Sequence, residues 1–133
     1  MKLFTGIVAV FFLAACGTRA SDDEQVRELI VTAENAAEAR DASDVIAVVA
    51  SDYTDAQGFD RAQLENFLRG YFLSHPKVEL RVSVQDLQFP VDGLGRATID
   101  VTSLPAGEQA TLSVEFRKES GAWRIARADK ILE

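Results

Sequence analysis

Cysteine, histidine and tryptophan each occur once among these 133 residues, tyrosine twice and proline three times. With Cys16 alone there is no internal disulfide, so an ordinary apolar core must hold the fold. A single histidine, His75, and no cysteine beyond Cys16 supply no ligand set for zinc or a redox metal. The chain also lacks a glycine-rich phosphate loop, a nucleophile elbow and a basic aromatic patch. No cofactor is expected. Basic residues are outnumbered, 14 against 21 acidic ones, which sets the chain against nucleic acid and anionic headgroups. After residue 15 no apolar run is long enough to cross a membrane.

What is present starts with MKLFTGIVAVFFLAAC. Lys2 gives a positive start, and Leu3 to Ala15 is uncharged and mostly apolar. As a helix that stretch reaches about 20 Å, short of a hydrocarbon core of about 30 Å, so it reads as a secretory signal. Ala14 and Ala15 are small where a signal peptidase needs room. Leu13-Ala14-Ala15-Cys16 resembles the lipobox of bacterial lipoproteins. The resemblance implies cleavage before Cys16, diacylation of its sulfur and acylation of the new amine, making the thiol a tether to the membrane. Two or more acyl chains anchor stably where one is marginal. The competing reading is an ordinary secreted protein with a cysteine beside its cleavage site. Gly17 stands where enteric lipoproteins held at the inner membrane carry aspartate, which favours the outer membrane, facing the periplasm.

The expected organisation is a signal peptide at 1–15, the lipidated cysteine and a short tether at 16–21, and one domain at 22–133. Lys2 is the leader's only charged residue, so the rest keeps 13 basic and 21 acidic residues, a net charge of −8. The 118 residues after the leader suffice for a domain burying roughly two-thirds of its unfolded surface.

Helices are expected first. Ser21-Asp22-Asp23-Glu24 has capping-box spacing, and Val26, Leu29, Ile30, Ala33 and Ala37 form one helical face behind it. Asp41 or Ser43 can cap a short second helix. Asp60 and Gln63 form a second box, with Phe59 stapled to Leu64 ahead of the stripe Phe67, Leu68, Tyr71 and Phe72. Pro76 ends that helix, with His75 as a partly exposed cap.

After Pro76 the period becomes two. Val78, Leu80, Val82 and Val84 alternate with polar residues, then the apolar phase slips to Leu87 and Phe89, so a β-bulge is expected near Gln85–Asp86. Ala97, Ile99 and Val101 form the next inward set, then Leu112, Val114 and Phe116, then Trp123 and Ile125. Short connections between alternating strands give an antiparallel meander. The fold class expected is α+β, three N-terminal helices packed in the concave face of a curved antiparallel sheet.

A long helix, a short one, Asp52-Tyr53 and Asp55-Ala56-Gln57-Gly58, a third helix, long bent strands and Gly121-Ala122-Trp123-Arg124-Ile125 follow in that order. This order resembles the nuclear-transport-factor-2-like superfamily, in particular its small bacterial SnoaL-like members, over about residues 22–131. The resemblance implies a cone-shaped, cystatin-like roll with a pocket at its wide end, and dimers through the sheet in many members. It implies isomerases, dehydratases and cyclases in some, and non-catalytic binding modules in many. Fold alone does not decide between them.

Inward positions on the middle strands are apolar, and Glu79, Arg81, Asp100, Glu115 and Arg117 fall on the solvated face. The candidate pocket residues are Phe67, Tyr71, Val82, Ile99, Val114 and Trp123. Arg127 and Asp129 continue the inward parity of Trp123 and Ile125 to the pocket mouth, unless a bulge turns Ala126 and Ala128 inward instead. Asp55-x-x-Gly58 resembles the motif carrying the general base in the steroid-isomerase branch, although the first helix lacks that branch's tyrosine. The alternative for Asp55 is a turn residue bonding its own backbone. Three functions follow: a lipid-anchored module binding a small apolar ligand or an envelope protein, an enzyme using Asp55, Tyr53 and Asp129, or a dimer with a filled core.

Overall fold

The computed structural model describes residues 20–131, so the lipidation expected at Cys16 lies outside the described residues. Three helices come first: α1 (Asp22–Glu38), α2 (Ala42–Ile46) and α3 (Arg61–Ser74). The strands β1 (Glu79–Val91), β2 (Leu94–Leu104), β3 (Glu108–Glu119) and β4 (Ala122–Lys130) follow. They pair antiparallel in chain order, which is the α+β meander expected. Among the described residues no helix is long and apolar enough to cross a membrane.

Each helix begins where a side chain can satisfy the orphan N–H groups of its first turn. The Ser21 hydroxyl accepts from the Glu24 N–H, and Asp41 accepts from the Asp44 N–H. At α3 the box is complete: Asp60 accepts from the Gln63 N–H at 2.8 Å, and Gln63 accepts from the Asp60 N–H at 2.9 Å. Phe59 and Leu64 pack together on Ile46, Val49 and Tyr53, as the staple requires. Two arginines fix α3, Arg61 to α2 and Arg40 to the turn between α1 and α2. The Arg61 guanidinium donates to the Ile46 carbonyl at 2.9 Å, and that of Arg40 to the Phe72 carbonyl at 2.6 Å.

The sheet gets its bend from irregularities in register. Between Gln85 and Gln88 the β1–β2 pairing slips, and Asp86 takes φ +51, so the bulge falls at the expected place. Inward pairs such as Val84–Ile99 and Ala97–Val114 close on α1 through Val26, Leu29 and Ile30. Phe116 and Val26, each 0% exposed, mark the deepest point. The outward face carries hydrated polar pairs, among them Asp100 with Gln85 and Thr111, and Glu115 with Arg96.

The segment after α2 lies along the free edge of β4. Val49 bridges Ile125 in parallel; the Ile125 N–H donates to the Val48 carbonyl, and the Ala50 N–H to the Ile125 carbonyl, both at 2.9 Å.

Of the two readings left open for β4, an unbroken alternation or a bulge, the pairing decides for the bulge. Phe116 faces Ile125 but Glu115 faces Arg127, which leaves Ala126 as an extra residue on β4. Past that bulge Ala128 joins the core opposite Val114, while Arg127 shares the face of Glu115. The bulged alternative is therefore the one realised, and Arg127 does not point into the cone.

Candidate functional site

The concave side of the sheet holds a cavity of about 270 Å³ under α1. Its floor is aliphatic, with Val82, Ile99, Val101, Leu112 and Val114 from three strands. The roof is Ile30, Ala33, Glu34 and Ala37 of α1. The space exists because α1 presents small alanines at two of those four positions, opposite branched residues that cannot reach across. Three sequence candidates, Val82, Ile99 and Val114, line it.

Glu34 is the residue that sequence reasoning missed. It is the only ionisable side chain in the cavity wall, and it is half-buried. At about 100° per residue it lies only about 40° from Ile30 on the helix wheel, at the margin of the apolar stripe. That margin position was the available signal. Burial first, and then the neighbouring Glu38 carboxylate, hold its pKa above the usual glutamate range. Glu38 itself accepts from the Leu80 N–H at 3.2 Å.

A second cleft of about 530 Å³ opens beside the first, sharing Leu112 and Ala128 with it. Here the structure gathers the three candidate catalytic residues, Tyr53, Asp55 and Asp129, next to Phe59, Leu64 and Phe67. The loop from Ala50 to Asp60 brings the first two over the end of β4. Asp55 is 9% exposed and takes donors on both oxygens. The Tyr53 hydroxyl donates to Oδ2 at 2.8 Å, and the Gln57 and Phe59 N–H groups donate to Oδ1 at 3.0 and 3.1 Å. These bonds make Asp55 the organiser of its own turn.

Tyr53 is a settled phenol. Burial, followed by the Asp55 carboxylate, drives its pKa well above the ordinary tyrosine value, so it stays a donor. Asp129 accepts from the Ala56 N–H at 2.7 Å and pairs with Arg127, and these contacts, the Ala56 bond foremost, hold its carboxyl below the usual aspartate range. Past the bulge Asp129, opposite Ser113 in the ladder, reaches the loop at the Ala56 N–H, and Arg127 is tied to it by this ion pair. The cleft can therefore offer a substrate an ionised acceptor and an apolar wall, with Asp55 and Tyr53 already bonded to each other.

Other candidates fall elsewhere. Trp123 is 4% exposed and closes the narrow end of the cone against Phe89, its indole N–H donating to Asp22. It belongs to the core because its ring turns toward the first turn of α1, away from the cavity. Phe67 is 51% exposed at the lip of the second cleft, in an aromatic row with Phe59 and Tyr71. Tyr71 stacks on His75 at 3.9 Å and lines neither cavity, and the His75 Nδ1–H donates to the Tyr71 carbonyl at 2.7 Å. Among the described residues no group of three or more histidine, cysteine, aspartate or glutamate side chains is placed to hold a metal ion.

No protein-family model matches the chain, and no curated protein matches it in sequence. Solved structures do resemble it. A domain of unknown function with a cystatin-like fold from Nostoc punctiforme superposes with a TM-score of 0.72 at 13% identity, covering 86% of this chain and 79% of that one. A nuclear-transport-factor-2-like protein of unknown function from Shewanella oneidensis gives 0.65 at 13% identity, over 83% of this chain and 98% of that one. A scytalone-dehydratase-like protein from Novosphingobium aromaticivorans gives 0.62 at 11% identity, over 81% and 83%. Likeness at such identities concerns the backbone, and with the three helices and bent meander described above it assigns this chain the cystatin-like fold of the nuclear-transport-factor-2-like proteins.

Proposed function

We propose that this chain is a non-catalytic module of the bacterial cell envelope, tethered through Cys16, that holds a small apolar ligand under α1. The observation that carries this reading is the aliphatic cavity of about 270 Å³. A wall of this composition is a poor host for water, and an apolar guest gains roughly 25 cal/mol for each Å² it removes from solvent. The tether rests on the Leu13–Cys16 resemblance, which supports cleavage and acylation at that residue.

Native mass spectrometry of residues 17–133, exported to a periplasm, tests the ligand. A co-purifying mass of a few hundred daltons is expected; a bare protein that also fails to take up apolar probes refutes it. Labelled fatty acid tests the tether: incorporation is expected in the natural chain and lost in Cys16→Ser. Label retained by Cys16→Ser, or never taken up by the natural chain, overturns it.

A second reading draws on the other cleft. Tyr53, Asp55 and Asp129 meet there beside an apolar wall, in a fold shared with a dehydratase-like protein. An isomerase, dehydratase or cyclase built on them would lose its pH–rate profile when all three are replaced, and a profile that survives excludes it.

A further inference from the structure

Building on the ligand-binding reading of the cavity under α1, we propose that Glu34 makes it a site for a cationic amine carried on a compact apolar body. Every other residue of the wall is aliphatic or aromatic, so Glu34 alone offers an occupant a polar contact. Among the described residues its carboxylate has no hydrogen-bond or ion-pair partner. The nearest acid, Glu38, adds like charge from the same helix face and is committed to the Leu80 N–H.

A half-buried carboxylate without a cation is an unsatisfied electrostatic demand, raised further by the negative neighbour and by loss of water. An ammonium group at the cavity lip meets that demand while the apolar body fills the floor. A carboxylate ligand, such as a fatty acid, would instead set a second negative charge against Glu34, and no lysine or arginine lines the wall to offset it. The excess of acidic residues over basic ones after the leader, 21 against 13, draws cations toward the domain from a distance. At about 270 Å³ the space lies below the usual range for drug-sized ligands, which starts at about 300 Å³, so the body must be small and rounded.

Three probes of one shape separate the terms: adamantylamine, adamantanol and adamantanecarboxylate. They are titrated calorimetrically at neutral pH into the full chain carrying Cys16→Ser, so that no acyl chain competes for the cavity. The amine should bind about tenfold tighter than the alcohol, the ratio for one charge-assisted hydrogen bond at a partly exposed site, and the carboxylate should bind weakest. Glu34→Gln should remove the amine's advantage over the alcohol, weakening the amine far more than the alcohol. Glu38→Gln should keep most of the preference.

An amine no tighter than the alcohol, or a preference that survives Glu34→Gln, overturns the assignment while alcohol binding still upholds the apolar site. Loss of the preference in Glu38→Gln alone transfers the role to Glu38 and overturns it equally. If none of the three binds, the amine site and the apolar-ligand reading fall together.

Discussion

Replacing Ala33 with leucine puts the hollow cone to a test in which the sign of the answer decides. Ala33 faces the cavity from α1 and touches the core cluster at its margin. Leucine adds three methylenes, which together occupy only part of the available 270 Å³. Burying them is worth about 2.4 kcal/mol at about 0.8 kcal/mol each. Fixing the leucine rotamer returns about 0.5–1 kcal/mol, and the slightly lower helix propensity a few tenths more. A net stabilisation of about 1–1.5 kcal/mol remains, equivalent to a rise in Tm of roughly 5–8 °C for a domain of this size. Urea denaturation followed by circular dichroism reads it directly, with an unchanged m-value showing that the transition itself is the same. The same variant should lose affinity for apolar probes. If the interior is already filled, leucine overpacks it and costs about 1–3 kcal/mol instead. A destabilised Ala33→Leu with the probe affinity intact would refute the hollow cone.

Two phenylalanines should differ sharply. Phe116→Ala, at a fully buried site, should cost about 3–5 kcal/mol, and Phe67→Ala, half-exposed at a cleft lip, less than about 1.5 kcal/mol by urea denaturation. Tyr53→Phe leaves the buried Asp55 Oδ2 without its donor and should cost about 1–3 kcal/mol, while Asp55→Asn should also loosen the Asp55–Phe59 turn, seen as faster amide exchange at Gln57 and Phe59. Acid and neutral pH should act oppositely at two carboxyls. Asp129 has a lowered pKa in the fold, so its contribution is complete above the unfolded aspartate value and disappears as pH falls through the folded one. Glu34 has a raised pKa, so its ionisation in the fold subtracts stability as pH rises from the unfolded glutamate value through the folded one. Asp129→Asn should therefore flatten the acid limb of a stability–pH curve, and Glu34→Gln should lift the neutral plateau; a curve unmoved by either substitution contradicts these assignments.

The bulge at Asp86 was legible because the apolar phase changes there, from Val84 to Leu87, and only an extra residue restores the burial of both. The start of α3 was legible because Asp60 and Gln63 stand at a spacing that few other structures use. The bulge at Ala126 left no such mark. Alanine is accepted on either side of a sheet, so the sequence admits both an unbroken alternation of Trp123, Ile125, Arg127 and Asp129 and a bulge that turns Ala126 and Ala128 inward. What decided it was tertiary: the segment from Val48 to Thr54, paired to the edge of β4, and the Ala56 N–H waiting for Asp129. Asp55 is singled out by resemblance and Asp129 by strand parity, but the bonds that commit Asp55 to its turn need coordinates. Glu34 was hidden for another reason. Residues at the margin of a helical stripe point to solvent in most helices, and only the short alanine side chains beside it open the space that it borders.

The strip of chain laid along β4 also bears on how these molecules behave in a crowd. A sheet grows by adding strands at an unpaired rim, and the middle of the β4 rim, at Ile125, is already occupied by Val48 to Ala50. The opposite rim, β1, is kinked at Asp86 and lacks an N–H at Pro90, so an incoming strand finds no straight row of partners. Both routes to polymerisation are obstructed by the backbone itself. A protein confined to one surface at high local density, as a lipidated chain would be, depends on such guarding of its rims more than a dilute one does.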